Sequence, residues 1–363
     1  MISNSDCKIT TKCWHFTPTK AITRSVGGEK PIALTLTKRR EMTKILGALD
    51  VGNANVKLKL LHPDDGEKLI TIQSALTILH DADDDNGAFS YVGSNLDWCP
   101  KHWIPIQGDS HTWVMDTADG KPKLSLPLLL TAIHDHIEDG DHLDLVVSIH
   151  NVDALGDRMI SALTGDHVFQ RVGDKPKLLS VYVHKVLSEG VGALMSASPQ
   201  TPNNWLLDIG GDTAIGTPYL QLKIRHGCNP YPLAGNGTRR LISEFSKCKA
   251  VSRAIATGRV LSYEASRRVI DDPKHVLTVG KDKHSLKDAV AEEVDRWLED
   301  VVLKVERSAG HHLFDCDARI ATGGACLIPE VARSLKERGY QIAPNPLTAS
   351  VDGMLTWLAR SGV

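Results

Sequence analysis

Two short stretches of this 363-residue chain carry the same chemistry. Asp50-Val51-Gly52-Asn53-Ala54-Asn55-Val56-Lys57 and Asp208-Ile209-Gly210-Gly211-Asp212-Thr213 each end an apolar run in aspartate, turn on glycine and enter a second strand-like run. An apolar strand delivers its terminal carboxylate to a fixed place. Glycine lets the turn approach a ligand without a Cβ in the way, and successive amide N–H groups in such a turn form a concavity that suits phosphate oxygens. Two such hairpins with two aspartates make a clamp for a polyphosphate and its Mg²⁺, a hard cation that takes oxygen ligands and keeps several waters. One hairpin alone would not separate this from a turn-capping aspartate; the pair does.

Other residues are weighed beside these. Glu189 opens the small-residue run Gly190-Val191-Gly192-Ala193-Leu194-Met195, where a carboxylate either orients water for hydrolysis or simply suits the positive end of a helix. Lys57 and Lys59 lie on an alternating strand whose default is a solvated face, and only its spacing from Asp50 singles out Lys57. Asp317 to Ala325 forms a third strand-to-glycine turn, through Gly323 and Gly324. His134, His136, Glu138, Asp141 and His142 cluster in sequence, and His311 and His312 are adjacent, but neither set has zinc-site spacing. A solvated helix end is the expectation there. The seven cysteines are scattered with no C-x-x-C pair, which reads as reduced thiols in a cytoplasm.

The elements that must position these groups follow an α/β pattern. Residues 1–43 carry eight Lys/Arg against three acids and lack periodicity, which predicts a basic, disordered extension, with a start at Met42 as the alternative. Ile45 to Leu61 reads as strand, turn, strand, with a further strand within Lys68 to Leu79, an acidic loop at 81–87 and an irregular region around Trp98, Trp103 and Trp113. Leu126 to Ile137 and Val152 to Leu163 read as helices, and Leu143 to Ile149 as a buried parallel strand. Leu178 to His184 is a strand. The second half restarts at Trp205, contains a long helix from Leu286 to Ser308 with apolar residues at helical spacing, and closes on helices from Pro329 and up to Trp357. A hydrophobic content of 42% and net charge of −2 predict a soluble chain with no direct nucleic-acid or membrane binding.

Three glycine turns in this order and spacing resemble those of the actin-like ATPases. Asp50 to Lys57 resembles that family's first phosphate motif, Asp208 to Thr213 its second, and Thr322-Gly323-Gly324-Ala325 its adenosine motif. The run opened by Glu189 sits where the family has its first interdomain connection. Asn345 to Gly353 is similar to the tail of bacterial plasmid-segregation actins of the ParM/StbA type. The resemblance covers roughly residues 44 to 360.

It implies two α/β domains hinged around a nucleotide cleft: 44–200 with the first connection, 201–330, and a 331–363 segment returning to the first domain. It implies ATP, with GTP as the alternative, and Mg²⁺. Asp50 would orient the metal shell or attacking water, and Asp208 would hold the metal. Lys57 would bond the β-phosphate, and Gly52, Asn53, Ala54 and Asn55 would form one side of the cradle. Gly210, Gly211, Asp212 and Thr213 would form the other. Gly323, Gly324, Gly235 and Arg239 would lie on the adenosine side, and Glu189 would be the catalytic group. The implied function is a cytoplasmic ATPase that polymerises with nucleotide and segregates DNA through an adaptor protein.

Two departures bear on this. Asp212 adds negative charge near anionic phosphate, a cost unless a metal or donor offsets it, and Ile215 stands where several relatives have an acid. Hence two rivals stay open: a small-molecule kinase of the same superfamily, and a nucleotide-binding scaffold without hydrolysis.

Overall fold

A strand of residues 44–51 can only be buried on both faces if something covers each side, and its neighbours show what does. The computed structural model describes residues 42–79, 87–92, 100–105, 111–117, 119–199, 201–255 and 260–362. The expectations for residues 1–41, for Trp98 and for most of the acidic loop lie outside the described residues. Within the contact unit Met42–Val363 stand two main sheets.

In the 10-stranded sheet, Lys44–Val51 pairs antiparallel with Asn55–His62 and parallel with Asp141–Ile149, which pairs parallel with Lys177–Ser188. In the 6-stranded sheet, Asn203–Ile209 pairs antiparallel with Thr213–Leu220 and parallel with Ala318–Thr322. The local topology is the same twice: a hairpin whose first strand lies beside a later parallel strand. Registers agree as well, because Asp50 lies opposite Ser148 and Asp208 opposite Thr322 on those parallel neighbours. Both aspartates therefore stand at the carboxyl ends of parallel strands, where open α/β sheets bind ligands.

Each sheet has its own core. Leu143, Leu145, Val147 and Ile149 pack with helix Gly120–Ile133 through Leu126, Leu129 and Ile133 in the first core. Trp205, Leu207 and Ile209 pack with helix Lys287–Ala309 through Val294, Leu298, Val301 and Val305 in the second. The opposite face of the first sheet, at Ala48 and Val146, is covered by Val351, Met354, Leu355 and Leu358 of helix Ala349–Arg360. That helix also crosses helix Val191–Ala197 so closely that a Cβ on Gly192 would lie 2.1 Å from Ser350 O, and one on Gly353 would lie 1.9 Å from Gly192 O. Two glycines let the backbones touch.

Several elements depart from the expectations. Helix Gly120–Ile133 begins six residues before Leu126, because Pro122 sits in the first turn, where a missing N–H costs nothing. Pro127 lies inside this buried helix and forgoes one backbone bond. The expected 68–79 strand is two strands, Gly66–Gln73 and Ala75–Leu79. Lys177–Ser188 continues past His184 through a register shift between Val183 and Lys185. His134 is buried, not solvated: its Nδ1 meets Asp135 Oδ1 at 2.9 Å and its ring lies edge-on to Phe89 and Phe169. No group of His, Cys, Asp and Glu among the described residues is arranged to hold a metal on its own.

Candidate functional site

The two hairpin turns are closed by the same backbone bond. Gly52 N–H donates to Asn55 O at 3.1 Å, and Gly210 N–H donates to Thr213 O at 2.9 Å. These two amides are spent within their turns. Among the described residues, the N–H groups of Asn53 and Ala54 at one tip, and of Gly211 and Asp212 at the other, make no backbone bond of this kind. Asp50 accepts a hydrogen bond from Ser148 Oγ at 2.9 Å, which fixes one carboxylate oxygen, and its other oxygen lies 3.9 Å from Lys57 Nζ. Asp50 and Lys57 are direct cross-strand partners, so both project on one face. The equivalent partner of Asp208 is Ile215, which leaves the second hairpin without a matching cation. Lys59 is not a simply solvated lysine: it reaches Asp352 at 2.7 Å and Glu67 at 2.8 Å, tying the first hairpin to the C-terminal helix.

Asp208 is the electrostatic centre of the site. Burial pushes its carboxyl up to about 6; Asp50 and Glu189 add to that, while Lys57 and Lys121 oppose it. The four thus act on one carboxylate of the second hairpin from the first hairpin, from the end of Lys177–Ser188 and from the start of helix Gly120–Ile133. Among the described residues Asp208 has no hydrogen-bonded or ion-paired partner. Such a half-buried, acceptor-only carboxylate without a partner suits the water shell of a hard cation such as Mg²⁺.

Glu189 follows Lys177–Ser188 and is held by its backbone on both sides. Its N–H donates to Ile149 O at 3.1 Å, and its carbonyl accepts from Tyr219 OH of the second sheet. Its carboxylate accepts a hydrogen bond from Lys121 Nζ, in the first turn of helix Gly120–Ile133. His150 stands beside this pair, and burial, then the Lys121 charge, lowers its pKa.

The third turn folds onto the second hairpin. Gly323 has φ +93°, and a Cβ there would lie 2.4 Å from Asp208 Oδ1 and from Ile209 O, so only glycine fits. Its N–H and the Thr322 hydroxyl both donate to Pro346 O at 3.0 Å, bringing the 345–353 segment to the site. Gly324 starts the short turn Gly324–Leu327, where burial and the Asp208 charge push the Cys326 thiol up to about 12. Helix Thr238–Phe245 caps the Gly210-Gly211 turn, with Thr238 N–H to Gly210 O at 3.0 Å and Arg239 N–H to Gly211 O at 2.9 Å. The Arg239 side chain pairs with Asp212 at 3.1 Å. The extra charge of Asp212 thus has a cation beside it, and Arg239 is engaged there. Gly235, with φ +70° and open space around it, marks the bend before that helix.

Ser148, Lys121, His150 and Tyr219 escaped the sequence reading, and Pro346 entered it only as part of the Asn345 to Gly353 stretch. Lys121 is the instructive case, since its only signal was a cation at a helix start, where the dipole disfavours it. A cavity of about 510 Å³ lined by Met195, Gln221, Trp357 and Arg360 lies near the helix crossing. It includes none of the hairpin residues and is not the candidate site.

No family model matches the sequence, and no curated protein matches it. Solved structures do match. The archaeal actin homologue Ta0583 is similar at a TM-score of 0.66 and 15% identity, covering 88% of this chain and 100% of its own. Bacillus thuringiensis ParM with ATP is similar at 0.63 and 15% identity, covering 89% and 100%. A pCBH ParM described as a non-polymerisable quadruple mutant is similar at 0.55 and 15% identity, covering 87% and 99%.

Proposed function

This chain has the actin-like α/β fold of the ParM proteins, and from that premise we propose that it is a Mg²⁺-dependent ATPase that assembles into filaments. The observation that carries the reading is convergence: Asp50 and Lys57 of the first hairpin, Glu189 just after Lys177–Ser188 and Lys121 at the start of helix Gly120–Ile133 all act on Asp208, which stands near the carboxyl end of a parallel strand in the other sheet.

Phosphoryl transfer asks a protein for positioning and charge neutralisation more than for covalent chemistry. Asp208 would hold the cation through its water shell, with Asp50, already fixed by Ser148, as the second carboxylate. Mg²⁺, when bound, supplies charge neutralisation to the phosphates. Lys57 and the free N–H groups of Asn53, Ala54, Gly211 and Asp212 bond phosphate oxygens. Gly323 and Gly324 let adenosine lie against backbone, with Gly235 and Arg239 at its rim. Glu189 orients water: its oxygen bonds to the terminal phosphorus, the bond to the bridging oxygen breaks with its electron pair leaving on ADP, and the proton passes to Glu189. Two domains, 44–200 and 201–330 with 331–363 returning to the first, close around this cleft. ATP is the nucleotide, and GTP is the comparison to run.

Filament growth, a DNA-binding adaptor, DNA segregation and a cytoplasmic setting belong to the same proposal. Their support is the likeness to ParM proteins, one of them described as a non-polymerisable mutant, since a fold does not fix a function. The described residues contain no helix long and apolar enough to cross a membrane. The scaffold reading rested on the charge of Asp212, and Arg239 offsets that charge.

Glu189→Ala tests the catalytic assignment. Binding of a fluorescent ATP analogue should persist while phosphate release falls about 10²–10⁴-fold, the usual worth of proton transfer by a positioned group. Undiminished release would contradict it.

A further inference from the structure

Lys121 is an odd place to put a positive charge. It lies in the first turn of helix Gly120–Ile133, whose dipole repels cations, and it is 6% exposed. A buried ammonium needs an anion beside it, and among the described residues its ion-pair partner is the carboxylate of Glu189, 68 positions away. The start of the helix is fixed independently: Gly120 N–H donates to Thr117 O at 3.1 Å, and Asp119 is bridged by Arg158 at 2.9 Å and Lys123 at 3.0 Å. Glu189 is likewise fixed by its backbone to Ile149 and Tyr219, one in each main sheet, while its carboxylate is still partly open to solvent. Both anchor points are tied by hydrogen bonds or ion pairs, and the carboxylate is the part of Glu189 that solvent reaches.

An ion pair of this kind occupies the lone pair that would accept from water. Lys121 also acts electrostatically on Asp208, so its charge is felt where the phosphates would lie. An anion of higher charge placed there competes with Glu189 for the ammonium. ATP brings such a group and ADP brings one phosphate fewer.

We infer that Lys121 is a positioning residue that holds Glu189 in a resting orientation and releases it to the attacking water when the terminal phosphate of ATP draws the ammonium away. The pair is thereby a sensor of the terminal phosphate, built from a helix start and a strand end. The inference rests on the catalytic reading of Glu189.

The test uses the full chain with Lys121→Met, Lys121→Arg, Glu189→Gln and the Lys121→Met/Glu189→Gln double variant. Affinities for ADP and for a non-hydrolysable ATP analogue are measured beside single-turnover phosphate release. Lys121→Met should lower the ATP-analogue to ADP affinity ratio, leave ADP affinity nearly unchanged and slow turnover about 10-fold or more. Lys121→Arg, which keeps the charge, should recover most of the ratio, a recovery that also rules out simple misfolding. Because the two residues act as one unit, the double variant should be no slower than Glu189→Gln alone. An unchanged affinity ratio in Lys121→Met, or losses that multiply in the double variant, would overturn the sensor. Full turnover by Glu189→Gln would instead sink the catalytic reading itself, and the sensor with it.

Discussion

Asp208 shows how far this molecule departs from maximal stability at single residues. Its carboxyl is raised from 3.8 to about 6, chiefly by burial. A folded-state value above the unfolded one means that the folded protein takes up the proton more readily. The stability this group contributes is thus full below 3.8 and is lost as pH rises towards 6. At neutral pH the nucleotide-free site holds a half-buried charge with no partner among the described residues. Asp208→Asn should therefore stabilise the nucleotide-free protein at pH 8 by about 1 kcal/mol or more, since one pK unit corresponds to ~1.4 kcal/mol, with little gain at pH 4. Thermal denaturation at both pH values checks this, and a less stable variant at pH 8 would refute it. In the same assay, Mg-ATP at ~100 times its Kd should stabilise the wild type by about 2.7 kcal/mol and the variant far less. The carboxylates were legible in the sequence because each ends an apolar run at a glycine turn. Lys121 was not, because its meaning depends on a partner that only the folded chain brings near.

Elements carry the next level of specification. Helix Lys287–Ala309 was legible from the spacing of Val290, Val294, Leu298, Val301 and Val305, all of them buried. The start of helix Gly120–Ile133 was obscured by two prolines, whose tolerance there depends on position within the helix and on burial. The crossing of helices Val191–Ala197 and Ala349–Arg360 was invisible, since a glycine's closeness to a backbone 161 positions away leaves no local signal. Yet that crossing sits directly after Glu189. Gly353→Val would drive two methyl groups into Gly192 O and should cost at least about 3 kcal/mol, at the upper end of overpacking penalties, because backbone rather than a side chain must move. An unfolding free energy from denaturant titration within about 0.5 kcal/mol of wild type would show that the helices do not need this contact. Lys59 offers a gentler probe: Lys59→Met removes the pairs to Asp352 and Glu67 and should cost about 1 kcal/mol, less at high salt.

At the scale of the whole molecule, two hairpins with the same closing bond stand in two sheets with separate cores, and Asp208 of the second answers to charges borne by the first. The repeat of Asp-to-glycine turns made this architecture readable from the chain, whereas which surfaces join one copy to the next has no comparable motif. A heterologous, non-closing contact is what filament growth requires. Light scattering of the purified chain after addition of Mg-ATP, with phosphate release followed in the same cuvette, reads both halves of the account together. A rise in scattering that decays as phosphate accumulates is the predicted result. Flat scattering with steady phosphate release would contradict assembly, and silence in both channels would contradict the ATPase itself.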